Sequence, residues 1–464
     1  MWHMPIKQTP EDFRVEEVLS AETLSAVSDQ PRPFALYRLT KQGLTTPEAA
    51  ERIARALRVP PAAVAVAGLK DKHATTVQHV TVRMWQPSGG GKAVSGGEAP
   101  ADAQVGKPVP PDAAQVGKPV PPDAAQVGKP VPPAAPVPQP VKVTAPKRLE
   151  ARNWMIERLG FLDAPLDGSA IGANRFRITV FGLTPQACRS MDGAAELLAC
   201  GEGEGGRRLR FVNYFGRQRF GTTRHGQGFL ARRLLAGKFE EALRLAIATP
   251  ATQDRAADKQ LKQTIARDWG RWQTLLPALK PSAGRAVVEV LARGGDFREA
   301  FAALPYFTQQ INVEAYQSYL WNATASRLIR DHYPADAVWE GDDPLKLMVF
   351  AKAQAAPPEL LELNLPLLGP RTELAEPWGP AAKAVLEKEG LEVRGLRIPG
   401  MHRPFFGELP RRLLAECSRF EMAEPEADAG GDDDDNAPRR LRRIVSFELP
   451  RGAYATVLLA ALGQ

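Results

Sequence analysis

A single carboxylate, Asp71, stands between Lys70 and Lys72 in the run Ala67-Gly68-Leu69-Lys70-Asp71-Lys72-His73-Ala74-Thr75-Thr76-Val77-Gln78. Two flanking cations favour the ionised form of an acid, so Asp71 is expected to be a carboxylate at neutral pH, the form a nucleophile requires. The same residues would also suit a solvated surface turn. Further along, Arg207, Arg208, Arg210, Arg217 and Arg219 alternate with Phe211, Tyr214, Phe215 and Phe220. Such alternation suits RNA, since guanidinium groups pair with phosphates and both groups stack on bases, although a strand with a solvated basic face has the same pattern. The histidines form no metal-ligand pair, and Cys188, Cys200 and Cys417 lack CxxC spacing. Neither a metal site nor a disulfide frame is therefore expected. The run GEGEGG has no phosphate-loop context and reads as a flexible loop.

The elements that must hold Asp71 are readable on both sides of it. Phe13, Val15, Val18 and Leu19 mark one strand, and residues 33–39 mark another. A helix is expected to begin at Thr46 as N-cap, with Pro47 at the first helical position and Glu48 in the first turn. Its apolar face is Ala49, Ala50, Ile53, Ala54 and Leu57. Val64 to Val66 then enter the Asp71 run as a short strand, and Val80, Val82 and Met84 leave it as another. This order puts the acid on a loop held by a sheet, where chemistry is commonly presented.

At 464 residues the chain exceeds one ordinary core, and its 44% hydrophobic and 24% charged residues are those of a globular protein. The net charge of +7 is compatible with a polyanionic partner. The unit DAAQVGKPVPP occurs at 112–122 and 123–133 with a near copy before it, so residues 86–146 are expected to form a disordered Pro-rich loop. No stretch approaches the ~18 uncharged apolar residues of a membrane span. The sparse cysteines and the absence of an apolar leader lead us to expect a cytoplasmic location.

The run GLKDKHATTVQ resembles the motif around the catalytic aspartate of the TruD family of tRNA pseudouridine synthases. IKQTPEDFRVEEVL, GANRFRITV, NYFGRQRFG and SFELPRGAYAT are similar to further segments of that family, in the same order and spanning nearly the whole chain. The resemblance implies an α+β fold with a discontinuous catalytic domain, mainly antiparallel sheet with helices, over 1–209 and 421–464, and an inserted α+β TRUD domain over 210–420. It implies an isomerase that converts a uridine of tRNA, uridine 13, to pseudouridine, with base flipping and no cofactor or metal. Asp71 would be the nucleophile and Lys7 a basic residue holding it ionised; Phe13, Asn174, Phe176 and Tyr454 would contact the substrate, with Phe447 competing with Tyr454. The partner is tRNA and the expected state a monomer; a non-catalytic RNA-binding protein on the same fold is the alternative. Where family members often carry a basic run, this chain has Asp163 and Asp167, and Phe181 stands where an arginine is expected. A backbone-phosphate contact would then fall to Lys147, Arg148 and Arg152.

Overall fold

The computed structural model describes residues 9–72, 74–86, 141–142, 144–203, 205–343, 345–428 and 440–463. Lys7 and most of the Pro-rich repeat lie outside the described residues. Between Ile178 and Thr179 the chain divides into two compact units.

The first unit is built on a sheet of β1 (Phe13–Leu19), β2 (Phe34–Lys41), β3 (Val64–Val66), β4 (Thr75–Arg83), β7 (Arg148–Ala151), β8 (Trp154–Leu162) and β9 (Ile171–Leu183). A separate two-residue pair, β5 (Trp85–Gln86) with β6 (Val141–Lys142), brings together the two ends of the segment between them. The order is β9-β1-β4-β2-β8-β7, with β3 also on β4. Only β1 and β4 run parallel; the other pairings are antiparallel. β4 is buried along nearly its whole length, as its near-continuous Val and Thr content requires of a central strand.

Helix α1 (Ala21–Ala26) is short, whereas α2 (Thr46–Leu57) closes the larger apolar core. Ala49, Ile53 and Ala54 of α2 meet Ala35, Tyr37 and Leu39 of β2 and Val80 and Val82 of β4. Each fully buried Ile or Leu here contributes about 1.5–3 kcal/mol of transfer free energy. A second cluster joins Leu19, Leu36, Leu162, Leu166, Ala170 and Ile171.

The α2 start differs from expectation by one residue. Thr45, not Thr46, is the N-cap, because Thr45 and Glu48 satisfy each other's backbone N–H groups in a capping box. Thr46 is thereby released for another task, described below.

The second unit begins with α3 (Pro185–Leu198), capped by Thr184. Where GEGEGG suggests a flexible loop, β10 (Ala199–Gly203) and β11 (Gly206–Val212) form a hairpin, with Gly205 turning at a φ of +82° that only glycine adopts without strain. Pairing with a neighbour overrides the low strand propensity of these glycines: β11 is also bound by the strand Leu414–Met422, which in turn pairs with Leu441–Pro450. The chain leaves the sheet after β11 and returns beside it, since Asn213 N donates to Leu413 O at the point of exit. Between these points lie the 27-residue helix Tyr306–His332 and two two-stranded sheets, Val338–Glu340 with Val349–Ala351 and Asn364–Pro366 with Pro410–Arg412. Among the described residues no helix is long and apolar enough to cross a membrane.

Candidate active site

Residues paired across a sheet share a face, and so do residues two apart on a strand. On β1 this alternation buries Phe13, Val15 and Glu17. Their register partners on β9 are Ile178, Phe176 and Asn174; on β4, Thr76 faces Val15, and on β2, Lys41 faces Thr76. Phe13, Glu17, Lys41, Asn174 and Phe176 therefore lie on one face of the sheet. Phe13 and Phe176 meet edge to face with ring centroids 6.3 Å apart. The amide oxygen of Asn174 is buried without a hydrogen-bond partner. An orphaned acceptor of this kind costs about 1–3 kcal/mol unless a ligand supplies the missing donor.

The Asp71 loop crosses this face and is tethered at three points. Lys70 Nζ lies 2.6 Å from Glu17 Oε1, a carboxylate with no exposed side-chain surface. Lys70 N donates to Thr46 Oγ1 at 2.9 Å, and that hydroxyl donates to Gln78 Oε1 at 3.0 Å. Lys41 Nζ donates to the carbonyl oxygen of Asp71 at 3.2 Å and to that of Leu44 at 2.8 Å. The loop is thus fixed through its main chain and through Lys70, while Asp71 itself is half-buried. Neighbouring Leu69 is 74% exposed.

Burial pushes the Glu17 carboxyl up, but the His79 hydrogen bond and the Lys70 ammonium more than reverse this, so its pKa lies below the ordinary Glu value. Glu17 is an ion at neutral pH. The cations expected to bracket Asp71 are each engaged by an acid, Lys70 by Glu17 and Lys72 by Glu48 at 3.7 Å. A further cation, Lys41, lies beneath the loop.

Glu17 and Lys41 have no role in the sequence reading, yet each leaves a signal there. Both occupy inward phases of strands whose other inward residues are apolar or aromatic, Phe13 and Val15 on one and Tyr37 and Leu39 on the other. A charge in such a phase is buried with a partner or not at all.

The acids upstream of Asn174 are structural. Asp163 pairs with Arg32, and Asp167 caps the short turn Gly168–Ala170 by accepting from Ser169 N at 2.7 Å. Phe181 is 7% exposed and belongs to the core. Arg148 pairs with Glu150.

In the second unit the arginine–aromatic run is also mainly structural, contrary to a base-stacking reading. Phe211, Tyr214, Phe215 and Phe220 are all buried, and Arg207, Arg208 and Arg210 pair with Glu196 or Glu416. Tyr214 donates to Val349 O and accepts from Val349 N. Phe447 is 1% exposed in the strand Leu441–Pro450, whereas Tyr454 is half-buried beside Phe215, with ring centroids 6.2 Å apart. Tyr454 belongs to the second unit, and Asp71, Phe13, Asn174 and Phe176 to the first.

A family model described as tRNA pseudouridine synthase D (TruD) matches residues 2–89 and 138–462. Among curated proteins, the chain is 26% identical to tRNA pseudouridine synthase D of Aquifex aeolicus, over 98% of this chain and 97% of that one. It is 24% identical to the probable tRNA pseudouridine synthase D 2 of Methanocaldococcus jannaschii, over 98% and 90%. A crystal structure of the putative tRNA pseudouridine synthase D from Methanosarcina mazei superposes with a TM-score of 0.61 at 20% identity, covering 99% of this chain and 93% of that one. That likeness gives the α+β fold, and the match over most of the length gives the lineage: the chain belongs to the TruD family of tRNA pseudouridine synthases.

Proposed function

We propose that the protein isomerises uridine 13 of tRNA to pseudouridine, with Asp71 as the nucleophile and the target base flipped onto the face lined by Phe13, Asn174 and Phe176. Membership of an isomerase family carries the reaction class. The observation that carries the site is the Asp71 loop tethered over a sheet face where a buried amide oxygen lacks a donor. A uracil N3–H is such a donor, and a pair of edge-packed aromatic rings suits the flat base of an extruded nucleotide.

In the reaction the N1–C1′ bond breaks, the uracil turns within the site, and a C5–C1′ bond forms. The proton leaves C5 and one is taken up at N1, so atoms and electrons balance within the substrate. Asp71 attacks during this exchange and is released at its end. Lys7 would help to keep Asp71 ionised, and Tyr454 would contact substrate. Shape and phosphate contacts dominate affinity for tRNA, while the flipped base is read in the pocket.

The test uses tRNA carrying tritium at uracil C5. The protein should release the label, and a folded sample that binds tRNA and releases none would remove the enzymatic reading in favour of an RNA-binding protein. A tRNA with cytidine at position 13 should release no position-13 label. Replacing Asn174 with Ala removes the orphaned acceptor, and kcat/KM should fall by about 10–100-fold, as loss of one buried hydrogen bond to substrate implies. An unchanged kcat/KM would exclude Asn174 from the site.

For the domains, we propose a catalytic part over 1–209 and 421–464 with an insertion over 210–420. The adjacency of Asn213 and Leu413 supports it, because an insertion needs entry and exit side by side. The family match skips residues 90–137, and β5 pairs with β6 across that gap. Replacing residues 87–140 by a two-residue Asn-Gly turn should therefore leave the melting temperature and tritium release unchanged. Loss of activity from a folded variant would assign the segment a role in catalysis.

A further inference from the structure

We propose that Lys41 is a positioning residue for the isomerisation, its buried ammonium clamping the main chain of the nucleophile's loop to the turn that starts α2. The proposal rests on Asp71 being the nucleophile. Lys41 is 1% exposed, and its Nζ spans two segments, donating to Leu44 O at 2.8 Å and to Asp71 O at 3.2 Å. A lysine buried so completely is rare, because the ammonium loses its hydration. A neutral donor could hold two carbonyls as well. What it could not do is set a positive charge beneath a carboxylate that must stay ionised until it attacks.

The charged groups facing Lys41 are Asp71 and Lys70 on the loop, Glu48 on α2 and Glu17 on β1. β4 and β8 present Thr76 and Trp154 opposite it in register, neither of which titrates. Burial is the largest influence on Lys41 and lowers its pKa to about 8, against the opposing pull of Asp71 and the two glutamates. The ammonium is therefore charged at neutral pH and loses that charge, though not its two N–H donors, as pH rises through about 8. Because the folded pKa lies below the ordinary lysine value, the folded state binds fewer protons than the unfolded chain above that pH, so alkali removes the charge beneath Asp71 without destabilising the fold through this group.

Two variants test this, with single-turnover tritium release measured across the alkaline range. The wild type should lose rate as pH rises through about 8. Lys41→Arg keeps a charge that does not titrate in this range, so its profile should stay flat there. Lys41→Met should lower the rate at least ~10-fold, with tRNA affinity changed by less than about threefold, because the loop is misplaced rather than removed. A folded Lys41→Met variant with the wild-type rate would overturn the proposal, and so would an alkaline loss unchanged in Lys41→Arg. If Lys41→Met fails to fold, the Lys41→Arg profile decides alone. Asp71→Asn is assayed beside them. Activity in that variant sinks the nucleophile assignment, whereas its silence together with an unaffected Lys41→Met sinks only the role of Lys41.

Discussion

Asp71→Asn should abolish pseudouridine formation, with a rate loss of at least about 10⁴-fold, the scale seen when a covalent nucleophile is removed. Asparagine has the shape of aspartate but no carboxylate to attack with. The structural reason to expect a clean effect is that the three tethers of the loop do not use the Asp71 side chain. Lys41 holds its carbonyl, Thr46 holds Lys70 N, and Glu17 holds Lys70 Nζ. The loop of the variant should stay in place, tRNA affinity should change by less than about threefold, and circular dichroism should match the wild type. Tritium release within tenfold of the wild type would end the nucleophile assignment. A collapse of tRNA binding would instead make the acid a structural element.

The largest expected effect on stability lies in the second unit. Arg411 donates to Asn213 O at 2.9 Å, Asn213 Oδ1 at 2.8 Å, Tyr214 O at 3.3 Å and Gly452 O at 3.1 Å. Its guanidinium carbon sits 4.1 Å from the Phe215 ring centroid, 5.3 Å from Trp321 and 5.9 Å from Tyr454. Burial lowers the pKa of this group to about 10, and the bonds just named run to carbonyl and amide oxygens. Arg411→Met keeps the length of the side chain and strands several of those oxygens, each at about 1–3 kcal/mol if buried, and also removes the cation–π contact. A loss of about 2–4 kcal/mol in urea unfolding should result from the stranded oxygens and the lost cation–π contact. Arg411→Lys should recover little of it, since an ammonium cannot fork to Asn213 and Gly452 while lying flat on Phe215. Unfolding of Arg411→Met within about 1 kcal/mol of the wild type would show that the network is not a source of stability.

The acid, its loop and the strands around it were legible because they carry local signals. Asp71 sits at a Gly-marked bend, and Phe176 and Ile178 alternate with polar residues as a half-buried strand should. The structure brings Phe13, Asn174 and Phe176 onto a single face. What escaped the sequence depends on long-range pairing. Strand phase marks Glu17 and Lys41 as inward charges but only register sets them beneath the loop, and Thr46 looks like a cap until Thr45 takes that place. The aromatic residues of NYFGRQRFG have the composition of a base-stacking ladder, but their burial is decided by a helix about a hundred residues away, through bonds such as Asn322 Oδ1 with Phe215 N at 2.9 Å. Composition cannot distinguish a ring exposed to RNA from one packed on Trp321.

The exit and return of the chain beside β11 also fix an order of events in folding. Asn213 and Arg412 are bonded although 199 positions separate them. Closing an unfolded loop of that length costs on the order of 5 kcal/mol in chain entropy, more than one strand pairing returns. Once the intervening segment has folded, its ends already lie together and that cost has vanished. Pairing of β11 with Leu414–Met422 is therefore a late step that waits on the segment between them. Damage to the packing around Trp321 would then slow the completion of a sheet it does not belong to.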